Sequence, residues 1–208
     1  MLAIYKSLLS HPVDVLYDKE TSARFMLIYK CASVSLRRLA ETYPDRYQII
    51  NRDEMLALGF NDVTVFIRDP EDRYFSGIST QVDMYNFSIS EFLKMGVIPM
   101  LDLHTVPQFL SLLKFGLNQN IYFDLKKFED INKVIPNLPH ANKRTPEFES
   151  KIFDEFKDQI NYLFTEDVIL QNLCGNKMHI NEIIDKIKQE TEFVSDMKNY
   201  IQFTNYLI

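Results

Sequence analysis

Arg68 ends a run of five mostly β-branched residues, Val63 to Ile67, and is followed by Asp69-Pro70 and, eight residues past the arginine, by Ser76. A guanidinium presents a rigid fork that matches the oxygens of a phosphate. A serine in the first turns of the next helix could donate to the same group. The plainer alternative pairs Arg68 with a nearby carboxylate and leaves Asp69-Pro70 as an ordinary helix start. A second stretch, "YKCASVSL", has the same kind of equipment: Lys30, then the small residues Ala32 and Ser33, then Ser35. Unpaired N–H groups at a helix N-terminus favour an anion, and a lysine beside them adds a full positive charge. Here too a capping serine is the plainer account. Two sites, each with a cation and a hydroxyl, point together to a ligand carrying phosphates at both ends of a nucleoside.

Both stretches require a strand that opens into a helix. "RFMLIYK", Arg24 to Lys30, reads as a buried strand, and in the helix after it Leu36, Leu39, Ala40 and Tyr43 fall at i, i+3, i+4 and i+7. "YQII" reads as a short strand, and "VTVFI" as a parallel strand covered on both faces. Asp69-Pro70 supplies an N-cap and a proline at the first helical position. "IYFDLKKF", Ile121 to Phe128, is a further strand. The stretch from Thr145 to Leu173 reads as helix, with Phe148, Ile152, Phe156, Ile160 and Leu163 on one face, and a last helix starts near Asn181. The expectation is one α/β domain over residues 1–208: a parallel sheet flanked by helices, with its core at about 24–170 and a helical C-terminal extension at about 171–208. Ligands of such sheets sit outside the carboxyl ends of the strands.

Composition narrows the chemistry. A formal net charge of −6 excludes a global field that would attract nucleic acid or an anionic membrane, so an anion must be held by a local cationic site. Glycine is scarce, 5 residues in 208, and neither a Walker-type loop nor G-x-G-x-x-G occurs. Cys31 and Cys174 are too few for a disulfide framework or a zinc site, and His11, His140 and His179 show no ligand spacing. Cys31, beside Lys30, is either a reactive thiol or simply a small loop residue. No leader or membrane-spanning run is read, and the expectation is a soluble, cytoplasmic protein.

"YKCASVSL" followed by "VFIRDPEDRYFSGI" resembles the two cofactor signatures of sulfotransferases, in particular the carbohydrate sulfotransferase-like proteins. That family shows P-K-x-G-[GS]-[TS]-[ST]-L, then a strand ending R-D-P-x-x-R-x-x-S. Arg68, Asp69, Pro70, Arg73 and Ser76 all match the second signature. In the first, Tyr29 stands for the proline, Ala32 for the glycine and Val34 for a common hydroxyl residue. "DLHTVPQFL" and "INYLFTEDVIL" are similar to later family segments, so the resemblance spans roughly residues 24–170.

The resemblance implies a P-loop-like core and transfer of a sulfuryl group from 3′-phosphoadenosine 5′-phosphosulfate (PAPS) to an acceptor hydroxyl or amine, on a carbohydrate or small molecule. In that scheme Lys30, with Ala32, Ser33 and Ser35, holds the 5′ end, and Lys30 stabilises the leaving phosphate. Arg68 and Ser76 hold the 3′-phosphate. His104 is the candidate general base, with Asp102 orienting it or acting itself. Lys143 and Arg144 either close over the cofactor or form a solvated basic pair. No metal is required. The alternative is an inactive relative that binds a nucleotide or a partner protein.

Overall fold

The structure is a computed structural model and describes residues 12–85, 104–136, 138 and 164–190. Strand β1 (Val15–Asp18) turns back into β2 (Arg24–Met26), and helix α1 (Ser33–Thr42) follows. Next come β3 (Tyr47–Ile50), the short helix α2 (Arg52–Ala57), β4 (Asp62–Ile67) and helix α3 (Pro70–Tyr85). Helix α4 (Gln108–Gly116) leads to β5 (Tyr122–Lys127), a single 3-10 turn (Phe128–Asp130) and helix α5 (Ile131–Val134). The described chain ends with α6 (Thr165–Asn172), β6 (Lys177–His179) and α7 (Ile180–Glu190).

The six strands lie in the order β3-β1-β2-β4-β5-β6 in one open sheet. It is mixed, which corrects the expectation of a parallel sheet. β2, β4 and β5 are parallel neighbours, whereas β1 pairs antiparallel with both β2 and β3, and β6 pairs antiparallel with β5. The reason is local at one edge. The β1–β2 connection is a tight turn closed by Asp18 N–H donating to the Ala23 carbonyl at 2.9 Å, and so short a link permits only an antiparallel pair. The stretch expected to be a helical extension contains the end of α6, strand β6 and helix α7.

Alternation along β4 feeds two cores. Val63, Val65 and Ile67 join one buried cluster with Phe109 and Leu112 of α4, and Phe66 joins a second cluster with Leu36 and Leu39 of α1. β4 is therefore covered on both faces, as its composition predicts. In α7, Ile180, Ile183, Ile184 and Ile187 form one buried stripe at i, i+3, i+4 and i+7. Full burial of such side chains contributes about 1.5–3 kcal/mol each.

One close approach involves the expected site. A Cβ placed on Gly77 in α3 would lie 2.1 Å from the His104 carbonyl oxygen and 3.0 Å from Thr105 Cγ2. Only a residue without a side chain lets α3 sit against the His104–Thr105 backbone. Gly77→Ala is expected to destabilise the fold by about 1–3 kcal/mol, because the neighbour to be displaced is main chain. Chemical denaturation checks this, and an unchanged midpoint would show that the contact is looser than described.

Candidate functional site

Because β2, β4 and β5 are parallel, their carboxyl ends open on one edge, and the two sequence stretches meet there. The link between them is direct: Arg68 Nη1 donates to the Lys30 carbonyl at 3.1 Å. Lys30 Nζ in turn donates to the Thr80 hydroxyl on α3, and Thr80 Oγ1 donates to the Ser76 carbonyl at 3.3 Å. Arg68, Lys30 and the Ser76 turn of α3 thus form one group. The local carboxylate considered for Arg68 is also present, with Asp72 Oδ2 3.9 Å from Arg68 Nη2.

Sheet register supplies a further partner. Ile67 is aligned with Lys127, so the next residues, Arg68 and Phe128, are neighbours, and the guanidinium carbon lies 5.0 Å from the Phe128 ring centroid. At that distance the ring attracts the cation. The contact is not readable from the sequence, since it depends on the pairing of β4 with β5.

The loop after β2 has an unusual backbone. Lys30 (φ 65°) and Ala32 (φ 62°) are both left-handed, and Ala32 is the N-cap of α1 without a side-chain hydrogen bond to offer. A left-handed backbone of this kind is the conformation that glycine adopts at least cost. Ala32→Gly is expected to raise stability by about 1 kcal/mol, since left-handed alanine is strained and alanine is also a poor N-cap. A thermal melt measures it, and a lower midpoint would contradict the left-handed assignment.

The first turn of α1 is arranged differently from the expectation. Ser33 and Ser35 are buried, at 7% and 5% exposure, while Val34 between them is 44% exposed. The position that most faces solvent at this helix start therefore carries no hydroxyl. Cys31 is buried, its thiol donates to Gln108 Oε1 at 2.9 Å, and burial pushes its pKa up to about 11 against the charges of Arg73 and Arg68. The reactive-thiol option is thereby removed, and the small buried loop residue stands.

His104 lies beside the same edge. Its ring meets that of Tyr29 edge-on, with centroids 5.0 Å apart and planes at 76°. The carbonyl of Tyr29 accepts from Nε of the buried Arg73 at 3.1 Å, and Arg73 Nη1 also donates to the Val106 carbonyl. Arg73 thus ties the Lys30 loop to the segment after His104. Asp102, Lys143 and Arg144 lie outside the described residues.

Beneath the edge is a buried polar layer that the site expectations did not name. The side-chain amide of Gln108 pairs with the backbone of Arg68 in both directions: Nε2 donates to the Arg68 carbonyl at 2.7 Å, and Oε1 accepts from the Arg68 N–H at 2.9 Å. Asp167 supports the start of α4. Its Oδ2 accepts from Gln108 N–H at 2.7 Å and from Gln108 Nε2 at 3.4 Å, and its Oδ1 accepts from Phe109 N–H at 2.9 Å. Pro107, the N-cap of α4, offers no side-chain hydrogen bond, so Asp167 caps that helix from 59 residues away. Burial raises the Asp167 pKa, opposed by the charge of Arg73 and these donors. All three contacts are N–H donors, an arrangement suited to an ionised carboxylate.

Among the described residues, no helix is long and apolar enough to cross a membrane. Comparison with protein-family models, with curated proteins and with solved structures gives no match.

Proposed function

We propose that the carboxyl edge of β2 and β4 binds a nucleotide with phosphates on both its 3′ and 5′ positions, and that the protein is a PAPS-dependent sulfotransferase with a P-loop-like core, acting on a small or carbohydrate acceptor. The observation that carries this reading is the Arg68–Lys30 contact at 3.1 Å, which assembles both expected cationic stretches at one sheet edge. In this scheme Arg68 and Ser76 receive the 3′-phosphate, and the N-terminal turn of α1 faces the 5′ end. In the same scheme Lys30 stabilises the negative charge that develops on the leaving phosphate oxygen. His104 takes the proton of the acceptor hydroxyl. When bound, the nucleotide supplies the activated sulfuryl group, and the protein's part is orientation and electrostatic stabilisation.

A second reading is favoured by Val34. With that position exposed and aliphatic, and Ser33 and Ser35 buried, an inactive relative would still bind the 3′-phosphate end and not catalyse transfer. Thermal shift tests the shared step. At a hundredfold excess over Kd, 3′,5′-adenosine bisphosphate is expected to stabilise by about 2.7 kcal/mol, roughly 5 to 10 °C at this chain length, with a smaller shift from AMP or ATP. Equal shifts from AMP and the bisphosphate would end the assignment of a 3′-phosphate site, and with it the sulfotransferase reading. Sulfuryl transfer assayed on the same sample separates the two readings.

A further inference from the structure

We propose that Gln108 is the positioning residue of this edge, holding Arg68 and the Cys31 loop in the relative placement that lets the site distinguish a 3′-phosphorylated nucleotide from one without that group. The inference rests on the nucleotide reading above and names a residue that would never touch the ligand. Gln108 is fully buried, and all four hydrogen-bonding positions of its amide are used. Oε1 accepts from Arg68 N–H at 2.9 Å and from Cys31 Sγ at 2.9 Å, while Nε2 donates to the Arg68 carbonyl at 2.7 Å and lies 3.4 Å from Asp167 Oδ2.

The consequence is geometric. β4 ends at Ile67, and Arg68 is the first residue beyond it. The Gln108 amide takes the place of a strand partner there, pairing with the N–H and C=O of a single residue. Through Cys31 the same oxygen reaches the residue next to Lys30. One side chain therefore sets both the residue that would hold the 3′-phosphate and the loop that would face the 5′ end. Only an amide of this length offers a donor and an acceptor side by side. Glutamate lacks the donors when ionised and would face Asp167 with like charge, and methionine of similar length offers neither.

The test compares wild type with Gln108→Met and Gln108→Glu, measuring Kd for 3′,5′-adenosine bisphosphate and for AMP by calorimetry, alongside a denaturation midpoint. The expected result is a folded Gln108→Met protein whose bisphosphate affinity falls about tenfold while AMP affinity is little changed. Equal losses for both nucleotides, or no loss, would assign Gln108 a merely structural role and overturn the proposal. A wild type without preference for the bisphosphate would instead remove the nucleotide reading, and this inference with it. Should neither variant fold, amide exchange on wild type decides. Saturating bisphosphate should slow exchange of the Arg68 N–H about tenfold more than saturating AMP does, and equal slowing counts against the proposal.

Discussion

Replacing Asp167 with alanine is expected to lower the unfolding free energy by about 3–5 kcal/mol, the scale for removing one partner from a buried charged network. Three donors converge on this carboxylate: the first two backbone N–H groups of α4 and the Gln108 amide. Each buried donor left without its acceptor costs about 1–3 kcal/mol. The buried charge of Arg73 also loses the countercharge that acts on it. Pro107 cannot compensate, because its side chain has nothing to accept with. Asp167→Asn keeps one acceptor oxygen and gives up the charge, so a smaller loss is expected. Urea unfolding at constant m-value provides the measurement. A loss below about 1 kcal/mol for the alanine variant would show that α4 is capped by other means. The site should suffer as well, since α4 carries Gln108 to Arg68.

What a sequence shows of this fold depends on the length and burial of each element. β4 is legible because its residues fill two separate cores, so hydrophobicity persists along the strand. α3 is legible from Asp69-Pro70, and the side chain of Asp69 does accept from Asp72 N–H at 3.0 Å, as a cap should. β1 and β6 are not legible: they have four and three residues, and β6, "KMH", is an edge strand with mostly polar side chains. Such segments are strands because of their neighbours. α2 carries a signal that could have been used, for Asn51 and Glu54 form a reciprocal capping box at the spacing this motif requires.

The same division runs through the site. Lys30, Arg68 and Ser76 are visible as residue types, but only Arg68 directly follows a strand: β2 stops at Met26, short of the expected Lys30, which lies in the turn beyond it, and Ser76 lies within α3. Their supports are only half visible. Gln108 and Asp167 stand in the quoted stretches "DLHTVPQFL" and "INYLFTEDVIL", but nothing in either stretch says that the glutamine pairs with the residue after β4 or that the aspartate, 59 positions on, caps α4. Phe128 comes to Arg68 only through the β4–β5 register. Ser33 and Ser35 mark the opposite limit: composition offers two hydroxyls at a helix start, and the helix rotation buries both and turns Val34 outward.

Arg68→Ala is expected to abolish the preference for 3′,5′-adenosine bisphosphate over AMP, lowering bisphosphate affinity about a hundredfold if two charge-assisted bonds of about 1.5 kcal/mol each are lost. The fold should survive. The bonds to Gln108 are made by the Arg68 backbone, which alanine retains, while the side-chain contacts given up, with the Lys30 carbonyl, Asp72 and the Phe128 ring, lie at the carboxyl end of the strands and outside the two cores. AMP affinity should change little, because the 3′-phosphate is the group this side chain would meet. Arg68→Lys sharpens the test: it preserves charge and loses the planar fork, so an intermediate loss is expected. A lysine variant equal to wild type would mean that charge alone holds the ligand. An alanine variant with both affinities unchanged would place the nucleotide elsewhere and leave Arg68 as a strut between β4 and the Lys30 loop.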